Sequence, residues 1–195
     1  TSRKYFPELP SFGNISMQTV NSGPMREERE ISHGILQAIY DAQKSIFIQT
    51  PYFIPPEALL EALQAAAIRG LDVRVMIPEK SDVKLVHLAS LSFVKEILKA
   101  GIKVYLYDKG FLHSKMMVFD DSLTLIGSVN FDSRSFEHNF EVEAFIYSEE
   151  IASQAKEIFI EDQRSSAQVS SKEWMKRPKL KRFFESLMRL FAPLL

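Results

Sequence analysis

The sequence predicts an α/β fold, a mixed and largely parallel β-sheet with helices on both faces, and three observations lead there. Between residues 45 and 107, short β-branched and aromatic runs alternate with amphipathic helical stretches. Two of those helical stretches end at glycines, Gly70 and Gly101, which supply C-terminal stops. Three more strand-like runs then follow in quick succession, LHSKMMVFD, SLTLIGS and EVEAFIYS, ahead of a further helix.

Taken in order, residues 1–14, with Pro7, Pro10 and Gly13, read as a lead-in segment. A short strand from Ile15 to Val20 closes at Asn21-Ser22-Gly23-Pro24. A helix from about Arg26 to Gln43 follows, with Ile31, Ile35 and Ile39 on one face. Ser45 to Gln49 is a strand ending at Thr50-Pro51. Pro55-Pro56 opens a helix in the position where proline is tolerated, and its apolar stripe is core. Leu71 to Ile77 is a strand, about Asp82 to Ala100 a helix, and Ile102 to Tyr107 a strand. A helix from about Glu149 to Ala167 covers the three later strands. The expected body spans residues 15–168, leaving residues 169–195 as a basic amphipathic tail.

In that tail Leu180, Phe184, Leu187 and Phe191 recur at helical spacing, with Lys179, Lys181, Arg182 and Arg189 elsewhere around the helix. From Lys172 to Leu195 there are seven basic and two acidic residues, a local charge of +5. The rest of the chain therefore carries −6, since the net charge is −1. Such a helix suits the interface of an anionic membrane, and the same pattern serves a helix docked on its own domain.

Composition excludes several chemistries. The chain of 195 residues is 46% hydrophobic and 25% charged, ordinary for one well-packed domain. A pI near 6.4 gives no global basic field for nucleic acid. Without cysteine there is no disulfide, thiolate zinc site or thiol nucleophile. No run of about 18 apolar residues is present to span a bilayer, and no signal peptide opens the chain, which starts at Thr1 and reads as a piece of something longer.

The chemistry gathers in GFLHSKMMVFDDSLTLIGSVNFD, Gly110 to Asp132. On a strand, side chains two apart share a face, so His113 and Lys115 stand side by side while Met116 and Val118 fill the core. A desolvated ammonium needs an anion, so Lys115 predicts a negatively charged partner. Gly127 permits close backbone approach, and Ser128 and Asn130, two apart, offer the hydrogen bonds that a phosphoryl group takes. A histidine beside such a cradle is a candidate nucleophile or acid/base, and Glu141 is placed to orient its ring. A lone histidine on a strand is more often a satisfied core residue, but this company reverses the balance. His138 lacks it and reads as a turn or surface residue. Tyr52 and Phe53 mark either a substrate cleft at a strand end or core packing. Glu143 shares a face with Glu141 and reads first as a solvated edge carboxylate.

His113-x-Lys115-x4-Asp120, then six residues, then Gly127-Ser128-x-Asn130, resembles the signature of the phospholipase D superfamily. TPYFIPPEALLEAL, RGLDVRVMIPEKSD, GFLHSK and NFDSRSFEHNFEVE are similar to the C-terminal half of bacterial cardiolipin synthases. The resemblance implies a phospholipase D-like lobe that uses no metal or other cofactor. It implies His113 as the reactive histidine, Lys115, Ser128 and Asn130 on the phosphate, and Glu141 as the carboxylate paired with the histidine. Asp120 belongs to the catalytic motif, yet it lies an odd number of residues from His113 and is expected to face away in a structural role. Phosphatidylglycerol and cardiolipin are the implied lipids, at the bacterial cytoplasmic membrane.

A complete site needs two such motifs, and His33, His87 and His138 have no lysine two residues on. The second motif is therefore expected from a missing N-terminal half or from a second copy of the chain. Two rival readings are a homodimeric, metal-independent phosphodiesterase, either phospholipase or nuclease, and a non-catalytic lobe that binds anionic lipid through its tail. The acidic body argues against a nucleic-acid partner.

Overall fold

The computed structural model describes residues 13–25 and 29–192; of the expected lead-in over residues 1–14, residues 1–12 lie outside them. In chain order the elements are β1 (Ser16–Ser22), α1 (Glu30–Asp41), β2 (Ser45–Gln49), β3 (Phe53–Ile54), α2 (Glu57–Ile68), β4 (Asp72–Pro78), α3 (Lys84–Lys99), β5 (Lys103–Tyr107), β6 (Met116–Phe119), β7 (Leu123–Gly127), β8 (Phe131–Asp132), α4 (Ser133–Glu137), β9 (Glu141–Tyr147), α5 (Glu149–Arg164), β10 (Ser166–Gln168), α6 (Ser171–Met175) and α7 (Lys179–Leu190).

Eight strands form one sheet in the order β1-β9-β7-β6-β2-β4-β5-β10, and β3 pairs with β8 in a second, parallel pair. Parallel pairing occurs where the alternating pattern placed it, between β2, β4 and β5. Following the pairings, five of the eight strands run one way, but β6 and β9 are interleaved among them in the opposite sense. Every remaining joint in the sheet is antiparallel, and one of them, β6–β7, is a direct hairpin. The sheet is mixed as expected, with its parallel joints confined to one half.

β2 explains why both faces need cover. All five of its residues are buried: Ile46 and Ile48 face the larger core beneath α1, α2 and α3, and Phe47 faces a smaller one beneath α5. Ile31, Ile35, Ala38 and Ile39 give α1 its buried stripe. Gly70 and Gly101 follow α2 and α3 with φ of +99° and +93°, a conformation that needs no side chain. The Phe47 ring packs tilted at 5.0 Å against Phe159 of α5, and Phe53 stacks at 5.4 Å on Phe131, which joins the small parallel pair to the larger core.

Some elements exceed the sequence pattern. β10 adds an antiparallel edge to β5, and the tail folds as two helices, because Pro178 separates α6 from α7. Asp120, just past β6, takes φ of +53° and directs its carboxylate away from the motif. It accepts the backbone N–H groups of Gln43 (3.0 Å), Lys44 (2.7 Å) and Ser45 (2.9 Å), tying the turn after α1 to the end of β6.

Three amides converge on that one carboxylate, so Asp120→Ala is expected to lower unfolding free energy by on the order of 3 kcal/mol in urea titrations. Asp120→Asn, which keeps one acceptor, should recover part of the loss. A midpoint unchanged by the alanine would refute this role for the residue.

Candidate active site

Strand β6 begins at Met116, so His113 and Lys115 lie in the extended stretch leading into it rather than on the ladder itself. Leu112, buried in the smaller core, and Met116 anchor that stretch at both ends. The expected side-by-side placement survives the shift. Lys115 Nζ donates to the His113 carbonyl at 2.9 Å and lies 3.2 Å from Nδ1 and 3.3 Å from Nε2. A hydrogen bond in line with one ring nitrogen would leave the other far away, so near-equal distances put the ammonium against the flank of the ring. It is shared between the two nitrogens rather than committed to one. The ring of Phe111 stacks on the imidazole at 5.3 Å.

Lys115 has no carboxylate within ion-pairing distance among the described residues. Burial pushes its pKa below the ordinary lysine value, although Glu141, Asp132 and Asp82 each pull it up from farther away. A partly desolvated cation thus faces the site without a dedicated counterion.

β7 and β9 build the opposite wall. Ser128 follows Gly127, and its backbone N–H donates to the Val142 carbonyl at 2.9 Å. The Ser128 hydroxyl accepts the Val142 N–H at 3.0 Å and donates to Glu141 Oε2 in a short hydrogen bond. Glu141 Oε1 accepts from Asn139 at 3.1 Å. In this structure the Ser128 hydroxyl proton is therefore engaged by Glu141, and the hydrogen bonds of Glu141 go to Ser128 and Asn139 rather than to His113. Asn130 is half-buried, with its side-chain carbonyl oxygen unpartnered.

Tyr52 and Phe53 part company. Phe53 is fully buried in its stack on Phe131 and belongs to the core, because β3 pairs with β8 and carries it inward. Tyr52 precedes that pair as Asn130 does on the other strand, and its hydroxyl donates to Asp82 Oδ1 at 2.7 Å. Burial, and then Asp82, push the phenol up to about 12. Asp82 and Phe111 also border a cavity of about 550 Å³ with Ser81, Tyr107 and Asp108. His138 is exposed as the residue that ends α4.

Two acidic residues were not legible in their roles. Asp132 is buried, caps α4 by accepting the Ser135 N–H at 2.7 Å, and is raised in pKa by burial. The Asp-x-x-Ser spacing before a short helix was its available signal. Glu143 is not a solvated edge carboxylate: β1 pairs on the far side of β9, which makes β9 an interior strand, and Glu143 has no exposure. Both its carboxyl oxygens lack hydrogen-bond partners. Burial, with Glu141 on the same strand face, pushes its pKa up to about 8, and the nearby Val129 amide offsets this only in part.

With this geometry in view, residues 35–163 match the family described as cardiolipin synthase, PLD-like domain. Cardiolipin synthase 2 of Staphylococcus epidermidis is 45% identical over 192 residues, covering 98% of this chain and 39% of that protein. The major cardiolipin synthase ClsA of Bacillus subtilis is 46% identical over 191 residues, covering 98% and 40%. This chain therefore spans about two fifths of the length of these relatives. Among solved structures, the phospholipase D family member Nuc from Salmonella typhimurium aligns with a TM-score of 0.68 at 24% identity, over 80% of this chain and 99% of that one. Phosphatidylserine synthase from Haemophilus influenzae aligns with a TM-score of 0.75 at 17% identity, over 93% and 48%. Both share the fold.

Because the folded-state pKa of Glu143 is raised, the folded state holds a proton that the unfolded chain releases. The stability linked to it is complete below pH 4.5 and is lost as pH rises to about 8. Glu143→Gln should flatten that part of the stability–pH profile and stabilise the fold at pH 8 by on the order of a few kcal/mol. Chemical denaturation of both proteins across this range checks it; parallel profiles would show that Glu143 is ionised or solvated in the fold.

Proposed function

The chain belongs to the cardiolipin synthase family of phospholipase D-like proteins, and we propose that it supplies one half of a phosphatidyl-transfer site. The observation that carries the proposal is the Lys115 ammonium: half-buried, without an ion-pair partner among the described residues, and within 3.3 Å of both ring nitrogens of the exposed His113 imidazole. A cation so placed calls for an anionic ligand, and the phosphodiester of an anionic phospholipid supplies one.

In the proposed reaction a nitrogen of His113, or of its counterpart in the other half, attacks the phosphorus of phosphatidylglycerol. An N–P bond forms, the P–O bond to the glycerol headgroup breaks, and the other histidine gives its proton to the departing glycerol oxygen. The hydroxyl of a second phosphatidylglycerol then attacks the phosphohistidine. The other histidine takes up the proton of that hydroxyl, the N–P bond breaks, and cardiolipin and glycerol result. Lys115 and Asn130 stabilise charge on the phosphoryl oxygens, and Ser128 acts through Glu141, holding the carboxylate at the wall of the cradle. The second motif comes from the remainder of a longer chain or from a second copy of this one.

In a complete two-motif enzyme, His113→Ala should lower phosphatidyl transfer by on the order of a thousandfold or more, and Lys115→Met should act comparably on kcat/KM. Thin-layer assay of labelled phosphatidylglycerol reads both. Retention of transfer by the His113→Ala enzyme would remove the basis of the assignment. Sedimentation of this chain alone in mild detergent separates the two sources of the second motif: a monomer requires the other half, and a dimer allows two His113-Lys115 pairs to meet.

A further inference from the structure

Helix α7 is docked the wrong way round for a helix that merely completes a core. Leu180, Phe183, Phe184, Leu187, Leu190 and Phe191 recur at i, i+3, i+4, i+7, i+10 and i+11, which places them along one face. That face points outward: Leu180 is 68% exposed, Phe183 60% and Leu190 75%. The side of the helix turned toward the domain carries charged residues, Glu185 and Arg189, beside Met188 and Ala192. Glu185 is 3% exposed and receives both guanidinium nitrogens of Arg177 at 2.8 Å, while that guanidinium lies 3.3 Å over the Trp174 ring. Arg189 pairs with Glu96 of α3 at 2.7 Å and sits over the Phe93 ring.

Cations flank the apolar stripe. Lys176, Lys179, Lys181 and Arg182 have no carboxylate partner among the described residues. Between α3 and α7 lies a groove of about 350 Å³ where Lys95, Lys179 and Arg182 gather with Ser92 and Ser186. The Trp174 side chain borders it, and its indole N–H is buried with no hydrogen-bond partner. Among the described residues no helix is long and apolar enough to cross a membrane.

We propose that α7 is an interfacial wedge that seats this domain on an anionic phospholipid surface, its polar side clamped to α3 and its apolar side immersed. An apolar stripe bordered by unpaired lysines fits the acyl and headgroup layers of an anionic bilayer together. The basic groove then lies at headgroup level, where phosphates supply counterions to Lys95, Lys179 and Arg182. The inference rests on α3, α6 and α7 alone, so it stands or falls separately from the transfer reaction.

Co-sedimentation of this chain with vesicles tests it, comparing phosphatidylcholine alone with an equimolar mixture of phosphatidylcholine and phosphatidylglycerol. The chain should bind the mixed vesicles, bind phosphatidylcholine far more weakly, and be released by high salt. Leu180→Ser/Leu190→Ser removes two outward-facing side chains and should weaken binding by at least roughly tenfold, with an unchanged thermal melt. Lys179→Glu/Lys181→Glu should abolish the preference for phosphatidylglycerol. Failure of the unaltered chain to bind mixed vesicles would overturn the proposal and give the apolar face to a protein partner, such as the rest of a longer chain. Equal binding by the leucine variant would overturn it as well.

Discussion

The site depends on how closely β7 approaches β9 at Gly127. A Cβ at that position would lie 2.2 Å from the Val142 carbonyl oxygen and against the carboxyl group and Cα of Glu143. With no side chain there, the Glu143 carboxyl folds over the backbone and the two strands close up. Ser128 can then exchange hydrogen bonds with both backbone groups of Val142 while its hydroxyl reaches Glu141. Everything that follows, Asn130, the β3–β8 pair and Asp132 at the head of α4, inherits its position from that contact. A glycine is required here by the close approach, not by a special backbone angle.

The electrostatics of the site follow from the same packing. Lys115 sits within reach of Glu141, Asp132 and Asp82, and three full negative charges there would compete with an anionic substrate. Burial works against that. Burial, offset only in part by the Val129 amide, pushes the Glu143 pKa up to about 8, and Asp132 is shifted in the same direction. The wall behind the cradle is thereby kept less negative than its composition implies. Glu141, fixed by Ser128 and Asn139, and Asp82, held by the Tyr52 hydroxyl, are the carboxylates left to act on Lys115.

What was legible in the sequence was what short-range periodicity encodes. The buried stripe of α1, the apolar centre of β2 and the glycine stops of α2 and α3 emerged because each is set by residues a few positions apart. The His113-Lys115 contact was legible too, since an extended chain brings positions two apart together whether or not it is hydrogen-bonded into a sheet. Pairings between distant segments left no such trace. β1 closing over β9, β3 against β8 and β10 along β5 join stretches up to 131 residues apart, and only the first of them reveals that Glu143 is interior. Phe53 went the same way: its burial depends on Phe131, not on its own neighbours.

The C-terminal helix carries this distinction furthest. Its sequence shows an apolar stripe and a basic remainder, and the usual inference buries the stripe against the domain. The docked face is instead chosen by two arginines. Arg177 finds a buried carboxylate and an aromatic face at once, and a charge pair with both hydrogen bonds made in a sheltered setting holds its geometry as an exposed pair does not. Arg189 repeats the arrangement one turn later with Glu96 and Phe93. Reversing the helix to bury its leucines would strand Glu185 or Arg177 without its partner, a cost that a few apolar contacts would not offset. A polar seam therefore fixes the helix on the domain and leaves the apolar face outward.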